Sequence, residues 1–209
     1  MAYKNSYAGI LPTLNYIGTP VSKADLLQYI DSTNYSVEIK TAVMTIVVQE
    51  VDNDSTGTIK IGVNNNMVSA QGDGNKWDKS YNKYFTGVTF TKSRWFMCFD
   101  TWQHSVDFML DRVKVRGMYI GGYAPMYAKT TINNLDTFIT AYQQEWVEGR
   151  HILSAPIDQK QKDSLSSIYN HAYKYFSQSV QKKNQVVEQY VRAALSHTSA
   201  NIRFFLFGK

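Results

Sequence analysis

Between Ser36 and Glu50 the apolar positions recur with the period of a helix. Ile39, Val43, Ile46 and then Glu50 follow one another at steps of four, three and four. Residues at those steps share one helix face, and an apolar face is the one a helix buries. An acid at the end of such a face is the most informative departure in the chain. Losing hydration disfavours its charged form and raises its pKa, which is what a general acid for glycosidic cleavage needs. The plainer alternative is a terminal Glu that turns out to water.

The same reading extends in both directions. Residues 1 to 21, with Gly9, Pro12, Gly18 and Pro20, read as an extended lead-in. Ser22 and Asp25 form a variant capping box that opens a short helix to about Asp31. From Val51 to Trp77 the chain is rich in Asp, Asn, Gly and Ser, predicting a long loop with at most a strand at 58 to 63. Phe85 to Thr91 and Trp95 to Phe99 predict two strands around a polar turn. Asp100 or Thr101 then caps a helix in which Trp102, Val106, Met109 and Val113 line one face, ending at Gly117. After a Gly/Tyr-rich loop, Leu135, Phe138, Ile139, Tyr142 and Trp146 define another amphipathic helix. Residues 157 to 197 are polar and helical and predict a hairpin broken near Lys183-Asn184, before the apolar tail Phe204 to Phe207. A stripe at Tyr169, Tyr173, Phe176 and Val180 reads as core packing. The pattern predicts an α+β, mainly helical protein, divided at 1–21, 22–149 and 150–209.

Composition narrows the possibilities modestly. The chain has 209 residues, enough for a sizeable core, and 14% are aromatic, including 15 Tyr and 4 Trp, side chains suited to stacking sugars or anchoring interfaces. The net charge of +5 favours anionic partners, but the basic residues are scattered and nucleic-acid binding ranks last. The single cysteine, Cys98, excludes an internal disulfide framework and lies in an apolar run as a structural thiol. No stretch has the length of a membrane span, and the N-terminus lacks a signal-peptide core, so a cytoplasmic origin is expected.

Two motifs carry less than they first suggest. Asp52, Asp54, Thr56, Gly57 and Ile59 imitate the first positions of an EF-hand loop, but position twelve is Val63 where a bidentate Glu is needed. His104, His151, His171 and His197 have no partner at ligand spacing. No metal or other cofactor is predicted.

The order Gln49-Glu50, then Asn64-Asn-Asn-Met-Val-Ser-Ala-Gln-Gly-Asp73, Trp77 and Phe99-Asp-Thr-Trp-Gln-His-Ser105 resembles the lysozyme-like superfamily. It is similar to the glucosaminidase and transglycosylase branches found in bacteriophage cell-wall hydrolases, over residues 22 to 148. The resemblance implies a lysozyme-like domain with a small β region and a C-terminal helical extension. It makes Glu50 the general acid and places Asn65, Asn66, Gln71 and Asp73 along the substrate cleft, with Trp77 and Tyr119 as its aromatic contacts. Phe99, Trp102 and Ser105 match the supporting helix. Asp52, Asp54, Asp73 and Asp78 all stay open as a second carboxylate. The implied partner is the peptidoglycan glycan strand, and a virion would deliver the protein. The alternative is a non-catalytic virion component, a tail or connector-ring subunit, that meets other virion proteins or its own copies through residues 150–209.

Overall fold

The computed structural model describes residues 10–18, 20–51, 58–60, 64–72, 79–91, 93–116, 131–147 and 157–207. The order of elements is β1 (Pro20–Ser22), α1 (Lys23–Ser32), α2 (Val37–Val51), β2 (Thr58–Lys60), a 3-10 helix (Lys79–Tyr84), β3 (Phe85–Thr91), β4 (Arg94–Phe99), α3 (Trp102–Arg116), α4 (Leu135–Ala141), a π-helical turn (Tyr142–Val147) and α5 (Gln159–Phe207). The architecture is α+β and mainly helical, as the periodicity predicts. β1 pairs with β2 and β3 with β4, each antiparallel.

Helix α2 is the centre of the molecule. Every residue from 40 to 47 is buried, so α2 is covered on all sides and not on one face alone. Its polar residues are reconciled with that position locally. The Thr41 and Thr45 hydroxyls donate to the carbonyls of Val37 and Thr41, both at 2.7 Å, and Lys40 Nζ donates to the Asp31 carbonyl at 2.9 Å. Helix α1 begins as its sequence predicts, with the Ser22 hydroxyl accepting the Asp25 amide at 3.0 Å. Thr101 caps α3 in the same way, taking the His104 amide at 3.2 Å.

Helix α3 carries Phe108 into an aromatic cluster of Tyr81, Tyr84, Phe85 and Phe99, with ring centroids 5.2 to 6.0 Å from it. The β3–β4 hairpin turns at Ser93, whose φ of 67° is left-handed. The N-terminal segment runs along β3, where the Leu14 amide donates to the Val88 carbonyl and the Val88 amide to the Pro12 carbonyl. Gly87 permits that approach, because a Cβ there would lie 2.6 Å from the Leu14 side chain and 2.7 Å from the Pro12 oxygen. Cys98 is buried, as expected of a structural thiol, and burial pushes its pKa up to about 11.

One expectation fails outright. The chain does not break near Lys183-Asn184, and α5 is a single helix of 49 residues. Neither residue terminates a helix intrinsically, and no Gly or Pro lies between 159 and 207 to force a turn. Leu165, Tyr169, Ala172 and Phe176 are buried on the body of the molecule at steps of four, three and four. Of the predicted stripe, Tyr169 and Phe176 are therefore core, whereas Tyr173 and Val180 are exposed. The helix lies antiparallel to α2, since Ser164 meets Gln49 at one end and Ser179 and Lys183 meet Asp31 at the other.

Candidate functional site

Glu50 sits in the last turn of α2 and is half-buried. Its Oε1 accepts two hydrogen bonds, from the Tyr142 hydroxyl at 2.8 Å and from the Trp146 indole at 3.0 Å. Both donors come from the element after α4. That helix is fixed at its start by a reciprocal cap between Asn134 and Thr137, and its continuation widens into the π-helical turn. Tyr142 and Trp146, four residues apart on this turn, reach the same carboxyl oxygen. Single π turns of this kind recur at functional sites.

Burial raises the Glu50 pKa above the ordinary glutamate value, and the hydrogen bonds from Tyr142 and Trp146 only partly oppose it. The location of the proton follows from donor chemistry. The indole N–H can only donate, so Oε1 must accept and the acid proton belongs on Oε2. Oε2 makes no hydrogen bond to a described residue. Tyr142 is buried, and its pKa is raised by that burial and by the adjacent carboxylate. Beyond it, the Arg112 guanidinium, only 1% exposed, lies 5.7 Å from the centroid of the Trp146 ring. A cation over the indole face attracts electron density toward itself and favours the ring's role as a donor.

The Asn-rich segment has a different task from lining this carboxyl. Asn64 accepts the Ile17 amide at 2.6 Å and donates to the Asn15 carbonyl, tying down the N-terminal segment. Asn65 donates to the carbonyls of Phe99 and Asp100. Asn66 is buried, donates to the carbonyls of Ala70 and Met97 and accepts the Ala70 amide. The two turn positions Asn64 and Asn65 have φ of 32° and 61°, which Asn tolerates better than most residues. Ser105 joins the same hub by accepting the Met67 amide. Gln71 pairs with Phe96 and accepts from Arg94 at 2.7 Å. Asp73, Trp77 and Tyr119 lie outside the described residues, as do Asp52, Asp54, Asp78 and all of the EF-like loop except its short strand.

A second polar cluster, which the sequence pattern did not single out, covers the outer face of α3. Tyr29 donates to both oxygens of Asp107 at 2.9 Å, Tyr35 donates to Asp111 at 2.6 Å, and Tyr84 also donates to Asp111. Lys83 stands 3.5 Å from Asp111. Burial pushes up the Asp107 carboxyl, while Asp111 is held below its usual range because the hydrogen bonds and Lys83 outweigh its burial. The only trace of this cluster in the sequence is a pair of acids four residues apart on an amphipathic helix. Every described carboxyl oxygen in it has a partner, so the arrangement reads as a tie between α1, the α1–α2 connection, the 3-10 helix and α3.

Tyr142 and Trp146 were visible in the sequence only as apolar stripe positions. The available signal was their polar tips, because a buried Tyr or Trp requires a hydrogen-bond partner. Among the described residues no group of three or more His, Cys, Asp or Glu could hold a metal ion, and no helix is long and apolar enough to cross a membrane. No protein-family model, curated protein or solved structure matches this chain.

Proposed function

We propose that the protein cleaves peptidoglycan glycan strands as a virion-associated glycosidase of lysozyme-like type, with Glu50 as its general acid. The observation that carries this reading is the carboxyl group itself. Glu50 is desolvated, which favours its neutral form, and is tethered through Oε1 by two neutral donors, so that a proton it carries sits on Oε2. A neutral acid of fixed orientation can protonate the glycosidic oxygen as the bond to the anomeric carbon breaks. The bonding electrons leave with that oxygen, and water or the sugar's own hydroxyl or acetamido group captures the carbon. Tyr142 and Trp146 then stabilise the carboxylate that remains.

A second reading treats the chain as a structural virion component on the same scaffold. Its support is α5, whose length and exposed stretch at residues 180–192 suit assembly. Digestion of purified peptidoglycan separates the two. Wild type is expected to release fragments with new reducing or anhydro ends. Glu50→Gln, which keeps an oxygen acceptor for Tyr142 and Trp146, should lose on the order of 10²-fold or more in rate while remaining folded. A folded wild type that releases no fragments, or a Glu50→Gln variant as active as wild type, would overturn the enzymatic reading.

A further inference from the structure

Helix α5 changes role along its length without changing its pattern. With about 100° of rotation per residue, the buried positions Leu165, Tyr169, Ala172 and Phe176 define one direction around the helix. Val186, Val187, Tyr190 and Val191 centre on that same direction about one to two turns past Lys183, where the helix meets Asp31. They are 49%, 59%, 74% and 50% exposed. Gln185, Glu188, Gln189 and Arg192 fall about 180° away, and the Glu188–Arg192 ion pair at 3.9 Å lies within that polar face. Every residue from 180 to 192 is exposed. The packing seam against α2 therefore continues beyond the body as a bare apolar stripe.

We infer that this outer stripe of α5 is a helix-pairing face for α5 of a second copy of the chain. Three observations favour that occupant. First, the four-three spacing that starts at Leu165 keeps its register through Ser179 and Lys183 to Val186 and Tyr190. In the sequence it continues through Ala193, His197, Ala200, Phe204 and Phe207. A repeat of 3.5 residues sustained over that length fits another helix carrying the same repeat. Second, α5 runs on for about 36 Å past Lys183 at 1.5 Å per residue, its residues 184–192 are all exposed, and Glu188–Arg192 is the ion pair described among them. Helices of this kind draw most of their stability from packing. Third, the polar face carries one balanced ion pair and two glutamines, not the row of Lys and Arg with which helices bind anionic lipid.

Sedimentation of the full chain over a concentration series tests the inference. Wild type should form dimers or a higher species. Val186→Glu with Tyr190→Glu should weaken association by on the order of tenfold or more, with an unchanged Tm for the body. Gln185→Glu with Gln189→Glu, on the opposite face, should associate as wild type does. Tyr190→Ala supplies a milder variant should the double substitution disturb the helix, and it too should weaken association. A wild type that stays monomeric throughout, or stripe variants that associate like wild type, would overturn the inference. So would a monomeric chain that co-sediments with anionic phosphatidylserine vesicles, which would assign the stripe to lipid.

Discussion

Asp31 and Glu50 stand at opposite ends of the seam between α2 and α5, and their surroundings push them in opposite directions. Burial alone would raise both. At Asp31 the hydrogen bonds from Lys183 and Ser179, with the charges of Lys183 and Lys40, outweigh burial and hold the carboxyl below its usual range. At Glu50 the partners are a phenol and an indole, which stabilise the anion without bringing a cation, and burial prevails. Glu50 is the more deeply buried of the two and Asp31 alone has a cationic partner, and both differences drive the carboxyls apart. One end is an electrostatic clasp, and at the other burial favours the neutral form of the acid.

Substitutions along the seam should grade this contrast. The largest effect is expected from Phe176→Ala, which removes a fully buried ring from between the two sites and should cost about 3–5 kcal/mol in denaturant unfolding. Asp31→Ala comes next, because it takes the carboxylate acceptor from Ser179 and Lys183, and should cost about 1–3 kcal/mol at neutral pH. That loss should fade in acid. A lowered folded-state pKa contributes stability above the unfolded value, and the contribution disappears as pH falls through the folded one. Trp146→Phe removes one of the two donors to Oε1 and should cost about 1 kcal/mol beyond any change in packing, visible as a lower Tm.

Glu50→Gln should have the smallest effect on stability, and its sign should be opposite. The raised Glu50 pKa contributes stability that is fully present below the unfolded value and lost as pH rises through the folded one. The amide carries no charge to desolvate, so the variant should match or exceed the Tm of wild type at neutral and higher pH. Its advantage should shrink as the solution is acidified. A variant less stable than wild type at high pH would mean that the Glu50 anion is favoured by the fold.

The sequence made this contrast half legible. The periodicity of α2 exposed Glu50 because an acid interrupted an apolar run, and the Ser22 cap, the β3–β4 hairpin and α3 were visible through equally local signals. Asp31 was invisible, since its partners Ser179 and Lys183 are about 150 positions away and appear as ordinary polar helix residues. Lys183 and Asn184 look like a break in the polar pattern, whereas Lys183 clasps a continuous helix to α1. The Asn64–Asn66 segment pointed to polar work of some kind, but composition does not distinguish amides that face a cleft from amides that satisfy backbone groups. Here all three are engaged with backbone. The donors to Glu50 came from a π-helical turn, a local distortion with no pattern of its own in the chain.

The most direct test of the contrast is an NMR titration of the Glu50 and Asp31 side-chain carboxyl carbons in one folded sample, assigned with Glu50→Gln and Asp31→Asn. Glu50 should titrate above the ordinary glutamate value and Asp31 below the ordinary aspartate value, with the Glu50 shift persisting when salt is added because no ion pair produces it. A Glu50 that titrates at or below the ordinary value would contradict the neutral acid, and with it the role proposed for this carboxyl.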